Sequence, residues 1–422
     1  MYKRVLIANR GDCACRLIDG CHRLGIEAVL IASRDEPSSL AVSLADHVCY
    51  TGMSRDAYLE QENILDTARE TGCEAIVPGW GFLSEDYRFA RRVRLSGIDF
   101  VGPRIDHMQI FGDKYETLRQ LVSVLKTDNA YGLCSEIDDL MGKTPIFEGA
   151  WMLKGRYGGG GKSIYRHSSL EEMKSHIESL ESACEVQDYY IERAVDDGRH
   201  IEIQLFGCGA GGTRALGIRD CTHQKNHQKW LEFSVERDEI AGLGELVQRC
   251  EAYFSSIAYE GWGTIEFLVD AKGAFHLLEV NPRLQVEHGV TEMQSGLDLV
   301  ELGLKWSCLH EALPEIGAKM GGIEFRLYAR SSGRLTRMGF DGYVWPEHEF
   351  VEDADYRLET GYVEGDWISG IYDGCLARFM VRGETHEDCF SRLKLWLEGF
   401  SCEGVETNFC EWNFLKSLKT RC

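Results

Sequence analysis

The first ~110 residues alternate short apolar runs with amphipathic stretches, and this rhythm constrains the fold more than any other feature of the chain. Residues 4–8, 27–33 and 98–103 are apolar runs that predict buried strands, and residues 74–85 run from a strand into a turn rich in glycine and proline. An amphipathic helix is predicted after the first strand, ending at Gly25. This alternation predicts a doubly wound parallel sheet that binds ligands at the carboxyl ends of its strands.

The rest of the chain has a different texture, and its 422 residues are too many for one small core. From about residue 113, glycine loops and strands of alternating polarity are typical of antiparallel α+β structure. From about residue 323, short strands precede a helix near residues 388–399. We therefore predict a mixed α/β and α+β fold whose three units span residues 1–112, 113–322 and 323–422.

Composition excludes several classes of function. No apolar run is long enough to span a bilayer, and the N-terminal sequence "MYKRVLIANRGD" does not resemble a signal peptide, so we expect no membrane partner. The 16 cysteines are scattered without a CxxC pair, which is typical of reduced thiols in the cytoplasm. A net charge of −22 argues against a nucleic-acid partner. Anionic substrates would require local clusters of Lys and Arg.

The stretch "WMLKGRYGGGGKS", residues 151–163, is the sharpest local motif. Its four consecutive glycines are Gly158, Gly159, Gly160 and Gly161. Ordering four glycines is entropically costly, and bare backbone amides are useful where they approach a phosphate. The neighbouring Lys154 and Lys162 favour a phosphate loop over a flexible hairpin tip, although the spacing is not that of a Walker loop.

Two predicted strands in residues 263–281 bring two acids together. If a two-residue turn at Lys272 and Gly273 joins them, Glu266 lies directly opposite Glu279. Opposed like charges are destabilising unless a cation lies between them. With Asn281 on the same face, these oxygens suit magnesium. A slipped register would instead leave both acids in solvent.

The stretch "LEVNPRLQVEH", residues 278–288, alternates polar and apolar residues. Pro282 disfavours helix at Asn281, so an extended chain would place Arg283, Gln285 and Glu287 on the face that carries the acids. An arginine there can hold a small anion, and a nearby carboxylate can act as a general base. The alternative is an ordinary half-solvated strand.

These segments together resemble the biotin carboxylase family of the ATP-grasp superfamily. The resemblance covers nearly the whole chain in matching order: "VLIANRGD", "PGWGFLSED", "GDKYE", "LKGRYGGGGKS", "RHIEIQ", "RDCTHQKNHQK", "GTIEF", "EVNPRLQVEHGVTE" and "GRLTR". It implies an N-terminal doubly wound (pre-ATP-grasp) domain, an ATP-grasp domain and a C-terminal β-rich domain for the three predicted units. It also implies that residues of about 130–197 form a mobile lid carrying the glycine flap.

The resemblance further implies roles for the residues at matching positions. ATP would be bound by the four flap glycines and by Lys114, Lys154, Glu192, Arg193, Val195, His200, Gln224, His227, Leu268 and Glu279. Magnesium or manganese would be bound by Glu266, Glu279 and Asn281. Bicarbonate would be bound by Lys229, Arg283, Gln285 and Val286. Glu287 would be the catalytic base, Arg337 would stabilise the biotin enolate, and Trp80 would lie near biotin.

The implied reaction is ATP-driven carboxylation of biotin with bicarbonate, through carboxyphosphate. No biotin-attachment sequence is present in the chain, so the resemblance implies a separate biotin carboxyl carrier protein and a separate carboxyltransferase. It also suggests a homodimer.

Four departures from the family pattern leave the acceptor open. Trp80 stands where the family commonly has Tyr, Tyr157 and Ser163 replace flap glycines, and Gly289 replaces a proline. One alternative is a divergent ATP-grasp ligase that transfers an activated carboxyl or acyl phosphate to a non-biotin nucleophile such as an amine. A second alternative is a non-catalytic homologue.

Overall fold

A parallel sheet forms the N-terminal unit of the computed structural model, which describes residues 1–35, 39–136, 150–158, 163–183, 185–225, 228–316, 320–340 and 355–415. Its strands, in the order β3-β2-β1-β4-β5, are β1 Arg4–Ile7, β2 Glu27–Ser33, β3 His47–Gly52, β4 Ala75–Val77 and β5 Asp99–Phe100. The helices are α1 Gly11–Arg23, α2 Leu40–Leu44, α3 Gln61–Glu70, α4 Tyr87–Leu95 and α5 Ile105–Phe111. Separate apolar clusters cover the two faces, since Val5 and Ile7 pack with α1 while Leu6 packs with α3 and α4. The predicted doubly wound sheet is confirmed.

A small antiparallel sheet follows α6, Lys114–Leu125, in the region predicted as a lid. Its strands, in the order β6-β9-β7-β8, are β6 Tyr131–Leu133, β7 Trp151–Gly155, β8 Ile164–His167 and β9 Tyr189–Arg193. Helix α7, Leu170–Ser182, covers it, and Met173 and Ile177 of this helix pack against Leu153 and Ile191 of the sheet. The lid region therefore has a hydrophobic core of its own.

The largest element is an eight-stranded antiparallel sheet with the order β14-β13-β10-β11-β12-β15-β20-β18. The strands of the middle unit are β10 Arg199–Cys208, β11 Thr213–Lys225, β12 Gln228–Ser234, β13 Glu260–Val269 and β14 Phe275–Asn281. Its helices are α8 Leu243–Ser256, α9 His288–Ser295 and α10 Leu299–Leu309. The described residues also form 3-10 turns at Ser54–Tyr58, Cys134–Glu136, Val186–Asp188 and Gly209–Gly211.

The C-terminal unit extends this same sheet. Its elements are β15 Gly321–Tyr328, β16 Gly333–Arg334, β17 Arg337–Phe340, β18 Tyr356–Thr360, β19 Trp367–Ile368, β20 Cys375–Gly383, α11 His386–Glu398, β21 Phe400–Glu403 and α12 Phe409–Leu415. Strands β12 and β15 pair with Leu231 opposite Phe325, so the sheet is continuous from the middle unit into the C-terminal unit. The mixed α/β and α+β class is confirmed. The structure's described portion contains no helix with the length and apolar character needed to cross a membrane.

Candidate active site

The hairpin of β13 and β14 places two acids face to face. Glu266 pairs with Glu279 in the register of the two strands, as predicted. The predicted two-residue turn is wrong, because residues 270–274 join the strands and the carboxylate of Asp270 accepts the amides of Lys272 and Ala274. A bulge at Leu278 restores the register that the longer turn would otherwise have shifted.

The side chain of Asn281 lies between these two acids. Its Nδ2 donates to Glu266 Oε1 at 2.7 Å and to Glu279 Oε1 at 3.2 Å, while Lys114 Nζ lies 2.7 Å from Glu279 Oε2. Burial alone would raise the pKa of Glu279, but Lys114 holds it below its usual value. The donor between the two carboxylates occupies the place that a divalent cation would take. The oxygen donors of these three residues therefore fit magnesium.

Glu266 is also held from its other side. His200 Nε2 lies 2.7 Å from Glu266 Oε2, Gln285 Nε2 donates to Oε1 at 2.9 Å, and Gln224 Nε2 lies 3.5 Å from His200 Nδ1. Burial alone would raise the pKa of Glu266, but Lys229 and His200 lower it to about 2. Burial alone would lower the pKa of His200, and its hydrogen bond to Glu266 raises it. The two side chains therefore favour an ion pair.

The predicted nucleotide end is built from the lid and β13. Lys154 and Glu192 form an ion pair between adjacent strands, β7 and β9, and both side chains are buried. Val195 and Leu268 both lie close to Gly198, where a Cβ would be 3.2 Å from Val195 and 3.3 Å from Leu268. A buried lysine suits a phosphate group, and the two apolar side chains suit a flat base.

The remaining predicted nucleotide residues are only partly described. Lys114 Nζ donates to the carbonyl of Gly158 at 2.8 Å, so this lysine links the start of the flap to the acid pair. Arg193 Nη2 lies 3.1 Å from Asp128 Oδ2 at the edge of the lid. The predicted residues that lie outside the described ranges are Gly159, Gly160, Gly161 and His227.

The predicted base, Glu287, is clamped between two cations. Lys229 Nζ lies 2.7 Å from its Oε1, and Arg326 Nη2 lies 2.8 Å from its Oε2. Burial alone would raise its pKa, but Lys229 and Arg326 hold the pKa of Glu287 well below its usual range. Lys229 also contacts Glu202 and lies 3.7 Å from Glu266 Oε1, so one ammonium connects the base to the metal end. The carboxylate cluster around Lys229 is therefore already neutralised by the protein.

Arg283 and Gln285 lie between these two ends. Arg283 Nη1 donates to Gln285 Oε1 at 2.6 Å, and its Nη2 donates to Asn281 Oδ1 at 3.3 Å. The extended chain predicted as far as Glu287 ends at Asn281, and α9 begins immediately after Glu287. Although the strand ends at Asn281, the side chains of Asn281, Arg283 and Gln285 still contact one another. Arg283 also contacts Glu85, a residue from the N-terminal turn that sequence reasoning did not assign to the site.

Arg326 is a second charged residue that the sequence analysis missed. It is buried on β15, where it pairs with Glu232 at 2.5 Å and Glu324 at 2.9 Å in addition to Glu287. The available signal was "IEFRLY", in which two opposite charges stand two apart in a predicted strand. Arg337 lies on β17 opposite Glu403 of β21, and its role at the acceptor end stays a prediction.

Trp80 and Tyr157, two of the departures, have defined surroundings. The Trp80 ring is 9% exposed and its centroid lies 5.2 Å from that of His288, so it packs behind the turn that carries Glu287. The hydroxyl of Tyr157 donates to Asp113 Oδ2 at 3.0 Å, at the start of α6. Trp80 therefore contacts the residue that follows the predicted base, and Tyr157 contacts the N-cap residue of α6.

Family models match three segments of this chain. They are described as the biotin carboxylase N-terminal domain for residues 1–108, the carbamoyl-phosphate synthase L chain ATP-binding domain for residues 149–315, and the biotin carboxylase C-terminal domain for residues 324–419. Together the three matches cover most of the chain in the order of the observed units.

Whole-length relatives agree with these matches. The chain is 33% identical to biotin carboxylase 2 of Bacillus subtilis, over 97% of this chain and 94% of that protein. It is 31% identical to the 2-oxoglutarate carboxylase small subunit of Hydrogenobacter thermophilus, over 96% and 88% respectively. It is also 33% identical to the methylcrotonoyl-CoA carboxylase alpha subunit of Rattus norvegicus, but spans only 58% of that longer protein.

Solved structures share the fold. The biotin carboxylase domain dimer of the Hydrogenobacter thermophilus 2-oxoglutarate carboxylase, in complex with MgADP, ADP and bicarbonate, matches with a TM-score of 0.83 at 30% identity, covering 96% of this chain and 92% of that one. The Campylobacter jejuni biotin carboxylase matches with a TM-score of 0.85 at 28% identity, covering 96% and 93%. The architecture, the ordered site and these whole-length matches show that the chain belongs to the biotin carboxylase family.

Proposed function

We propose that this chain carboxylates biotin with bicarbonate in an ATP- and magnesium-dependent reaction. One observation carries the proposal: the acid pair suited to a metal and the carboxylate suited to a base lie along one wall. Glu279 and Glu266 form one end, Glu287 forms the other, and Lys229 bridges them. This arrangement supports the binding of a nucleotide phosphate beside an anion that must lose a proton.

Phosphate binding is assigned to the lysines. Lys114 and Lys154 would exchange their present partners, Glu279 and Glu192, for phosphate oxygens when ATP binds. Magnesium bound by Glu266, Glu279 and Asn281 would supply further neutralisation of the phosphate charge. Phosphoryl transfer depends on such positioning and neutralisation, since little covalent chemistry is asked of the protein.

The bicarbonate end prepares the nucleophile. Arg283 and Gln285 would hold bicarbonate, and Glu287 would remove its proton. A bicarbonate oxygen then attacks the γ-phosphorus, the bond to ADP breaks, and carboxyphosphate forms. Closure of the lid would exclude water from this labile product until it releases carbon dioxide for the biotin nitrogen.

The acceptor would be biotin on a separate carrier protein. Arg337 of β17, which stands at the matching family position, would stabilise the charge that develops on the biotin ring. Two relatives are named as subunits of carboxylases, which supports partner subunits for this chain, and a solved relative is a dimer. We extend both features, together with a cytoplasmic location, to this chain as part of the proposal.

Phosphate release from ATP tests the proposal when bicarbonate and biotin are varied separately. We expect hydrolysis that requires bicarbonate and is stimulated by free biotin or a biotinylated carrier domain. If biotin has no effect and an amine drives turnover, the chain is the alternative ATP-grasp ligase. If calorimetry detects no binding of magnesium-ATP, the chain is a non-catalytic homologue.

A further inference from the structure

The side chains of His288 and Arg378 hold the backbone of the turn that carries the base. His288 Nδ1 lies 2.9 Å from the carbonyl oxygen of Gln285 and 3.2 Å from that of Val286. Arg378 Nη1 donates to the same Val286 oxygen at 2.7 Å. Two consecutive carbonyl groups are therefore held by side chains on one side of the turn.

The imidazole of His288 can only act here as a donor. Burial, followed by the nearby charge of Arg378, holds the pKa of His288 well below its usual value, so the ring is neutral. Because Nδ1 faces carbonyl oxygens, which only accept, the single ring proton lies on Nδ1. The ring also packs on Trp80, which fixes its plane.

Arg378 is fixed by groups from two other parts of the molecule. Its guanidinium pairs with Glu359 of β18, and its Nε lies 3.0 Å from Asp12 Oδ2 of α1. Its Cζ lies 5.0 Å from the centroid of the Trp80 ring. The side chain is fully buried, so the contact with Val286 is rigid.

The held carbonyl groups determine where the amides point. All described peptide bonds are trans, so each N–H points opposite to the carbonyl of the same peptide. The amides of Val286 and Glu287 therefore point away from the side chains of His288 and Arg378. Among the residues the structure describes, neither amide donates to another protein group. Adjacent amides aimed in one direction form a site for a small anion.

We propose that His288 and Arg378 are positioning residues that aim the amides of Val286 and Glu287 at bicarbonate. The inference rests on the proposed function, because it concerns the anion of that same site. It also gives Trp80 a role, because its ring contacts both the imidazole of His288 and the guanidinium of Arg378. The departure at residue 80 thus affects how firmly the anion is held.

The test is the KM for bicarbonate in bicarbonate-dependent ATP hydrolysis without biotin. His288→Leu removes the donor, and we expect this KM to rise about tenfold while the KM for ATP changes less than about twofold. His288→Asn keeps an N–H near the position of Nδ1, so its bicarbonate KM should stay close to that of the wild type. Equal effects of the two variants, or no effect of His288→Leu, would overturn the proposal.

Arg378→Lys provides a second, independent variant. Lysine keeps the charge near Glu359 but cannot reproduce the guanidinium fork, so the bicarbonate KM should again rise while the ATP KM is kept. Arg357→Lys is the matched control. Arg357 pairs with Glu292 and Glu359 in the same buried cluster but does not contact the turn. If this control raises the bicarbonate KM equally, the cluster is only scaffold and the proposal is wrong.

These measurements distinguish a failure of the proposed function from a failure of the positioning roles. Wild-type protein without any bicarbonate-dependent hydrolysis would contradict the proposed function itself. Normal wild-type hydrolysis together with unchanged bicarbonate KM values in the His288 and Arg378 variants would contradict only the positioning roles.

Discussion

The two outer acids of the active-site wall, Glu279 and Glu287, pair with different cations, and these partners separate the roles of the two acids. Glu279 pairs with Lys114 at the metal end, whereas Glu287 lies between Lys229 and Arg326. Because Lys114 and Lys229 belong to different elements, the two ends can be altered separately. Single substitutions should therefore distinguish nucleotide binding from proton removal.

Glu287→Gln tests the base. The amide cannot accept the proton of bicarbonate, so bicarbonate-dependent turnover should fall by about 10²–10⁴-fold, the usual effect of losing a base. Affinity for magnesium-ATP should stay close to that of the wild type, because Glu287 has no contact with the acid pair. Steady-state phosphate release and calorimetry with magnesium-ATP measure the two effects.

Glu279→Gln is the partner variant for this experiment. It removes a charge from the metal end and should weaken the binding of magnesium-ATP directly. Equal loss of ATP binding in Glu279→Gln and Glu287→Gln would show that the division of the wall is wrong.

Arg326 controls the protonation of the base. Burial favours the neutral acid, and Lys229 and Arg326 keep the pKa of Glu287 well below its usual value, so the wild-type base is ionised across neutral and mildly acidic pH. Removing the guanidinium in Arg326→Met should raise this pKa. The kcat/KM for bicarbonate, corrected for the ionisation of bicarbonate itself, should then fall on acidification where the wild type stays level.

Arg326→Lys is the control for the pH profile. It retains a positive charge near Glu287, so its profile should keep the shape of the wild-type profile even if its rate is lower. An unchanged profile shape in Arg326→Met would contradict the assigned electrostatic role.

At the scale of elements, the hairpin shows what the sequence could and could not predict. The predicted register correctly placed Glu266 opposite Glu279, although it was counted from a two-residue turn that the structure does not have. The predicted turn was three residues too short, because the Asp270 side chain closes a five-residue turn. The bulge at Leu278 compensates for the extra length and keeps the two acids opposed. Local sequence patterns predict which residues share a face of a strand. They do not predict the side-chain hydrogen bonds that set the length of a turn.

Contacts between residues far apart in sequence also could not be predicted from local patterns. Arg326 reaches Glu287 because β15 joins the large sheet beside β12, a pairing between strands about 90 residues apart in sequence. The role of Lys229 came from family resemblance, because a local pattern does not specify which distant acids this cation meets. The hydrogen bond from Arg378 to the carbonyl of Val286 could not be predicted from the sequence either.

Gly289 permits close packing between α9 and the C-terminal strands. A Cβ there would overlap Met380 Sδ and lie 2.9 Å from Glu324 Oε2. Gly289→Ala should therefore cost about 1–3 kcal/mol of unfolding free energy through overpacking. Chemical denaturation measures this cost.

Two variants control the interpretation of Gly289→Ala. Gly244→Ala is a helical glycine whose Cβ would meet nothing closer than 3.5 Å, so it should be neutral or slightly stabilising. Gly289→Ala combined with Met380→Ala should cost less than the sum of the single changes. Strict additivity would show that Met380 is not what Gly289 accommodates.

At the scale of the whole molecule, one arginine connects all three units. Arg16 of α1 lies 3.1 Å from Glu292 of α9, 2.7 Å from Asp298 and 3.4 Å from Glu359 of β18. Its side chain is only 3% exposed. The parallel sheet, the middle unit and the C-terminal strands therefore meet at this buried charge, as they also do at Arg378. This junction lies on the same cluster that fixes Arg378 through Glu359.

Arg16→Met should destabilise the whole molecule, because it leaves three acids around a buried site without their shared cation in a chain of net charge −22. Removing one partner of a buried ion pair costs about 3–5 kcal/mol, whereas an exposed pair is worth about 0–1 kcal/mol. Arg69→Ala, which breaks an exposed pair with Asp66, is the control. Urea unfolding should show a much larger loss for Arg16→Met, and equal losses would mean that Arg16 does not hold the units together.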